Sequence, residues 1–170
     1  MKKWLSFLGA ITLLGTSTTN LVACNNIPQY NENELQQLKK ENQIWTNCQE
    51  IKENLEWICS QEKPFNQVDN KWYYVVCRGN ENDVWEIAKF KNDFKDNKFK
   101  VIKKIKNGEL SILYNMDYGR HLQVGYNILK KWISNINNKY FKAVYRWNGG
   151  EENLPVLVVN NDGNVKVNGE

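Results

Sequence analysis

Apolar and polar residues follow three different rhythms along this chain, and each change of rhythm marks a boundary. Behind Met1, Lys2 and Lys3 comes a continuous apolar run, WLSFLGAITLLG from Trp4 to Gly15, followed by the small and polar TSTTN. NNIPQYNENE, from Asn25 to Glu34, is polar and reads as a tether. From Glu34 to Gln61 no proline or glycine occurs, and Leu35, Leu38, Trp45, Cys48, Ile51, Leu55 and Ile58 recur at helical steps, predicting one long amphipathic helix capped by Asn31 or Asn33. Pro64 closes that pattern. KWYYVVCR (Lys71 to Arg78) and VWEIAKFK (Val84 to Lys91), separated by GNEND, then predict a hairpin. KFKVIKKIKNGELSILY predicts a second, with Asn107 and Gly108 supplying the positive φ of its turn. Asp117 to Gly125 reads as loop, and YNILKKWISNINN, with Ile128, Leu129, Trp132, Ile133 and Ile136 in phase, as a shorter helix. KYFKAVYRW returns to period two, with Phe141, Ala143, Tyr145 and Trp147 on one face. LPVLVVNNDGNVKVNG closes the chain as a small hairpin about Asp162 and Gly163 or as a loose tail. The expected fold is α+β: an antiparallel meander of about five strands packed against the N-terminal helix and the second, shorter helix.

The opening run has the layout of a secretory signal peptide. It spans about a dozen apolar residues, where a membrane-crossing helix needs roughly 20. It ends in Leu21, Val22, Ala23, Cys24, an order that resembles the lipobox of bacterial lipoproteins, in which the cysteine thiol receives a diacylglycerol and a peptidase cuts just before it. The resemblance implies a signal peptide at 1–23, a lipid on Cys24, and a membrane anchor of two acyl chains, enough for stable attachment where one is marginal. The domains that follow are a lipidated tether at 24–33 and one α+β domain at 34–170, with 154–170 as its loosest part.

Removing residues 1–23 from the 170 leaves 147, the size of one domain with a workable core. Lys2 and Lys3 leave with the signal, so 21 basic groups face 19 acidic ones, a net of +2, and the basic pI carries no argument for a nucleic-acid partner. One stretch differs: Ala88 to Lys106 holds eight lysines against Asp93 and Asp96. Alternation with Phe90, Phe94, Phe99, Val101, Ile102 and Ile105 makes these lysines the solvent side of strands, where they keep an edge from pairing; contact with anionic lipid or polyanions is the alternative. Cys48, Cys59 and Cys77 are an odd set with no CxxC or CxxH spacing, so neither zinc nor dithiol redox chemistry is indicated. On one continuous helix Cys48 and Cys59 would stand about 16 Å apart, beyond disulfide reach. Buried free thiols are expected, with a bridge from Cys77 to either as the alternative.

Candidate chemistry is sparse. His121 is the sole histidine, in NMDYGRHLQ, with Asp117 and Arg120 nearby. Asp117 orienting His121 as a general base, with Arg120 holding an anion, would make a small surface hydrolase acting on nucleic acid; no nucleophile signature accompanies them, and a structural histidine is the competing account. RGNEND and NNDGN lack the carboxylate spacing of a calcium loop and read as turns. No phosphate-cradling glycine motif or GxSxG occurs. Neither cofactor nor metal is expected. Six tryptophans follow the signal segment; on an exposed sheet face they would form a platform for a glycan or a host protein, and otherwise they fill the core.

MKKWLSFLGAITLL with LVACN, KWYYVVCRGNENDVWEIAKFK, and YFKAVYRWNGGEENLP together resemble the surface lipoproteins of wall-less bacteria of the spiroplasma type. The segment 154–170 departs from that pattern. What the resemblance implies is an address, the outer face of the cell membrane, and one functional residue, Cys24. The expected role is a surface-displayed binding or interaction module, non-enzymatic, partnered by the membrane through its lipid and by a host protein or glycan, with no specific nucleic acid.

Overall fold

The computed structural model describes residues 29–94, 99–134 and 138–170; the signal segment, Cys24 and most of the tether lie outside them. The architecture is mixed α+β with antiparallel sheets and few helices. Two α-helices, α1 (Glu32–Glu41) and α2 (Gln49–Asn54), precede ten strands: β1 (Leu55–Trp57), β2 (Trp72–Cys77), β3 (Glu86–Lys91), β4 (Phe99–Ile105), β5 (Gly108–Asn115), β6 (Gly119–Gly125), β7 (Lys130–Lys131), β8 (Phe141–Trp147), β9 (Leu157–Val159) and β10 (Val165–Val167).

The strands form three sheets rather than one meander. The first sheet runs β1-β8-β2-β3, the second β4-β5-β6-β7, and β9 with β10 makes a two-stranded hairpin. Both expected hairpins occur, β2 with β3 and β4 with β5, but they belong to different sheets. Side chains of both sheets meet in one inner core, in which Tyr73, Val75, Leu110, Leu122 and Val124 are fully buried and the Phe65 ring packs at tilted angles against Tyr73, Phe90 and Trp132. The opposite face of the first sheet carries an outer core. There Tyr74, Tyr145 and Trp147 pack against Ile44, Ile51, Leu55 and Leu157, from the segment between the helices, α2, β1 and β9. Both faces of β2 are therefore dry, which is why its sequence, WYYVVC, is a continuous run of aromatic and apolar residues without a polar side.

The long N-terminal helix does not form. α1 stops at Asn42, whose backbone N–H and side-chain Nδ2 both donate to the Leu38 carbonyl, a local competition that ends helices. Thr46 Oγ1 then accepts the Cys48 N–H at 3.1 Å, helping to hold an extended link before α2. After α2 the chain pairs Leu55–Trp57 with Tyr145–Trp147 of β8. The ladder of a buried strand outweighs a helical preference worth only tenths of a kcal/mol per residue. The supposed helical stripe is thus divided: Ile51 and Leu55 enter the outer core, Ile58 the inner one, and Trp45 and Cys48 are exposed.

The second predicted helix is also absent. Lys130 and Lys131 extend the second sheet as β7, and Trp132–Ser134 is a 3-10 turn that buries Trp132 and Ile133; Ile136 lies outside the described residues. The stretch expected as loop is mostly strand β6, since Leu122 and Val124 alternate with His121 and Gln123 and reach the inner core. Gly119 and Gly125, at φ 71° and 125°, bracket it. In the β4–β5 turn the two central residues are Lys106 and Asn107, and only Asn107 (φ 57°) adopts positive φ; Gly108 already pairs with Ile105. The faces of β8 differ from strict alternation as well. A β-bulge at Lys142 lets Cys77 oppose Phe141 while Val76 opposes Ala143, which turns Phe141 to the inner core. Residues 154–170 form the small hairpin rather than a loose tail, docked through Leu157 and through the Tyr74 hydroxyl, which donates to the Pro155 carbonyl at 2.8 Å.

Candidate binding groove

α1 is well capped and poorly buried. Asn31 and Glu34 form a reciprocal capping box, Asn31 Oδ1 accepting the Glu34 N–H at 3.0 Å and Glu34 Oε2 accepting the Asn31 N–H at 2.8 Å. No residue of the helix is buried; Leu35 and Leu38 are half-buried. Polar contacts hold it instead. Lys39 Nζ lies 2.5 Å from Glu56 Oε1 and 2.7 Å from Glu62 Oε2, and Glu56 Oε2 accepts from Arg146 Nη2 at 2.6 Å and Asn148 Nδ2 at 3.1 Å. Tyr30 N–H donates to Gln61 Oε1 while Gln61 Nε2 donates back to the Tyr30 carbonyl. The Tyr145 hydroxyl donates to the Asn42 carbonyl. Burial alone would raise the Glu56 carboxyl, but the hydrogen bonds from Lys39, Arg146 and Asn148 outweigh it and hold its pKa at about 2. Burial likewise opposes the charge on Lys39, and its two carboxylate partners reverse that and raise its pKa.

Beside this clasp the first sheet forks. β1 pairs with β8 as far as Trp57 opposite Tyr145, one further bond joins Ile58 N–H to the Val144 carbonyl at 2.9 Å, and the chain then turns into the 3-10 segment Ser60–Glu62. Between the diverging strands, α1 and the Trp132–Ser134 turn lies a cleft of about 210 Å³, with Trp57, Trp132, Tyr30, Ser60 and Asn42 in its walls. A second groove, about 300 Å³, continues from the same wall of Asn42, Lys142 and Ala143 toward the terminal hairpin, lined further by Gln43, Trp45 and Asn164. Trp45 stands 75% exposed at this end. Its place in the helical stripe predicted a packed residue; the break at Asn42 is what puts it outside, and no local signal marks it.

The residues singled out for chemistry are not gathered at one place. His121 is buried, its Nδ1 donating to the Gly119 carbonyl at 3.2 Å with Tyr118 edge-on to the ring. Burial lowers its pKa, and the nearby Lys131 adds to the effect. Asp117 is exposed in the β5–β6 turn, where its N–H donates to Asn115 Oδ1, and no hydrogen bond or ion pair joins it to His121. Arg120 donates from Nη1 to the Phe94 carbonyl at 2.7 Å and from its backbone to Asn66 Oδ1. An orienting carboxylate, a base and an anion holder thus do not converge.

The described part of the lysine-rich stretch includes β3 and the edge strand β4, and there Lys103 is matched with Glu86, Lys100 with Asp93, Lys106 with Asp83, and Lys91 with Glu151. Lys89 and Lys91 also lie over the Trp72 ring. RGNEND and NNDGN act as turns, with Asp83 accepting from Asn107 Nδ2 and Asn160 Oδ1 accepting from the Asp162 and Asn164 N–H groups. Cys48, Cys59 and Cys77 are free thiols; Cys59 and Cys77 are buried, whereas Cys48, expected in a packed stripe, is exposed. Burial pushes the Cys77 thiol up to about 12, which suits packing and not nucleophilic chemistry. Trp132 and Trp147 are buried, whereas Trp57, Trp72 and Trp85 are half-buried.

Cys24, the one site the sequence singled out for modification, lies outside the described residues. Among the described residues, no helix is long and apolar enough to cross a membrane, and no cluster of histidine, cysteine and carboxylate side chains could hold a metal. Comparison of the chain with known families, with curated proteins and with solved structures finds no match, so the likeness to surface lipoproteins rests on the quoted residues alone.

Proposed function

We propose that this chain is a surface lipoprotein of the wall-less-bacterial type, diacylated at Cys24 and displayed on the outer face of the cell membrane, whose single domain is a binding module. The reading of its role is carried by one observation: seven residues after Cys24 the tether reaches Asn31 and passes directly into α1. That helix is held by polar contacts beside a groove containing Trp45, Trp57 and Trp132. Concave sites with aromatic walls and a few placed polar groups are where small partners bind. A buried histidine without its carboxylate leaves the hydrolase alternative without a specific observation in its favour.

The anchor is tested by expressing the full chain in a lipoprotein-processing bacterium and measuring the mass of its N-terminal peptide. Cleavage before Cys24 with an added diacylglyceryl mass is expected, and Cys24→Ala should move the protein from the detergent phase to the aqueous phase. An unprocessed Met1 start in the native host would overturn the reading.

A further inference from the structure

We infer, on the reading of this domain as a binding module, that the groove beside α1 takes a neutral oligosaccharide, one ring in the cleft walled by Trp57 and Trp132 and a second against Trp45. Size comes first. The two compartments, about 210 and 300 Å³, meet at Asn42, Lys142 and Ala143. Each is at or below the low end of the roughly 300–1,000 Å³ typical of ligand pockets, a scale that suits a ligand built of small rings joined in a line. Sugar rings present C–H faces to aromatic planes and hydroxyls to amides, and this groove offers both. Trp45 keeps 75% of its surface in solvent. Beside it Asn42 Nδ2 is tied to the Leu38 carbonyl and Gln43 Nε2 to the Lys52 carbonyl, which leaves the two amide oxygens as acceptors for hydroxyl donors.

Charge excludes the obvious competitors. Among the described residues, Glu41 and Lys142 are the only formally charged ones in the two linings. A polyanion would need a row of cations, and the lysine-rich strands that could supply one are largely ion-paired. An extended peptide added as a strand would read a regular edge of N–H and C=O groups. β8 is an interior strand of the first sheet, already paired with β1 over Tyr145–Trp147 and bonded by the Ile58 N–H at its Val144 carbonyl, so little regular edge is offered beside this groove.

The test uses the detergent-solubilised full chain on an array of neutral di- to tetrasaccharides of glucose, galactose, mannose and the N-acetylhexosamines, with short random peptides arrayed alongside. The best saccharide is then titrated by tryptophan fluorescence. At least one saccharide should bind. Trp45→Ala should weaken it on the order of tenfold or more, as truncating an aromatic anchor does, while Trp45→Phe retains part of the affinity. Met116→Ala, at a 92% exposed position in the β5–β6 turn, should change nothing. An unchanged melting temperature for Trp45→Ala keeps the result independent of folding. Saccharide binding that survives Trp45→Ala overturns the placement of the site. Peptides captured through Trp45 with no saccharide bound overturn the ligand class and leave the binding-module reading intact. No ligand of either kind overturns both.

Discussion

Between the two sheets, Tyr73, Val75, Leu110 and Val124 lose all contact with solvent, whereas α1, ten residues long, buries none of its side chains. The inner core is cohesive because many apolar groups leave water together, each large side chain contributing about 1.5–3 kcal/mol. The clasp under α1 depends on a few charged and amide groups whose attraction is offset by lost hydration, so each pair adds little on its own. One chain thus holds a rigid body and a helix attached to it by contacts that open at much lower cost. Local openings of this kind supply the mobile elements of binding sites, and here the weakly held element borders the groove.

Phe65→Ala should have the largest effect on this contrast. It removes a ring packed among Tyr73, Phe90 and Trp132 and should cost about 3–5 kcal/mol, read as a shift of the whole denaturation curve. A loss below ~1 kcal/mol would mean that the two sheets do not share a core. Next in size is Gly79→Ala, at the point where the β2–β3 loop meets the β4–β5 turn. A Cβ there would come 2.4 Å from the Lys106 carbonyl oxygen and 2.7 Å from the Asn107 carbonyl carbon, backbone atoms that cannot swing aside. The expected cost is about 1–3 kcal/mol; wild-type stability in calorimetry would show that the two loops do not touch.

Glu56→Gln addresses the clasp. With half-exposed partners and solvent screening, about 1–2 kcal/mol should be lost, and lost locally. Hydrogen exchange should accelerate at the amides of α1 while those of β2 and β5 keep their protection; uniform acceleration would make the clasp part of the core. The same carboxylate sets a pH dependence. Its folded pKa, about 2, lies below its ordinary value of 4.5, so its contribution is complete above pH 4.5 and is lost as pH falls from there through about 2. Lys39 has the opposite sign: its raised pKa makes its contribution complete below 10.5, and this is lost as pH rises through the folded value. The smallest effect belongs to Asn31→Ala, which removes the Oδ1 acceptor of the capping box and should cost ~1 kcal/mol in α1 alone. A change in the global melting temperature of Phe65→Ala size would erase the distinction between the two regions.

Legibility in the sequence followed the range of the interactions. The two hairpins were readable because β2 with β3 and β4 with β5 are neighbours in the chain, and Asn107 supplies a turn geometry within its own few residues. β6 was missed although Leu122 and Val124 alternate with His121 and Gln123; polar residues buried on its second face hid the pattern. The groove was not legible at all. Its walls come from α1, the end of β1, the Trp132–Ser134 turn and the start of β8, and Trp45 is exposed only because Asn42 ends the helix early.

What the sequence by itself determined is local: the helix cap at Asn31, the β2–β3 and β4–β5 hairpins, and the lipobox expectation at Cys24, each written in neighbouring residues. What only the tertiary structure decided is the division of the strands into separate sheets, the capture of Leu55–Trp57 by β8 in place of a helix, and the groove that results. Pairing β1 with a strand some ninety residues later is a long-range contact whose stability comes from shared burial. No local propensity, worth tenths of a kcal/mol per residue, can encode or resist it.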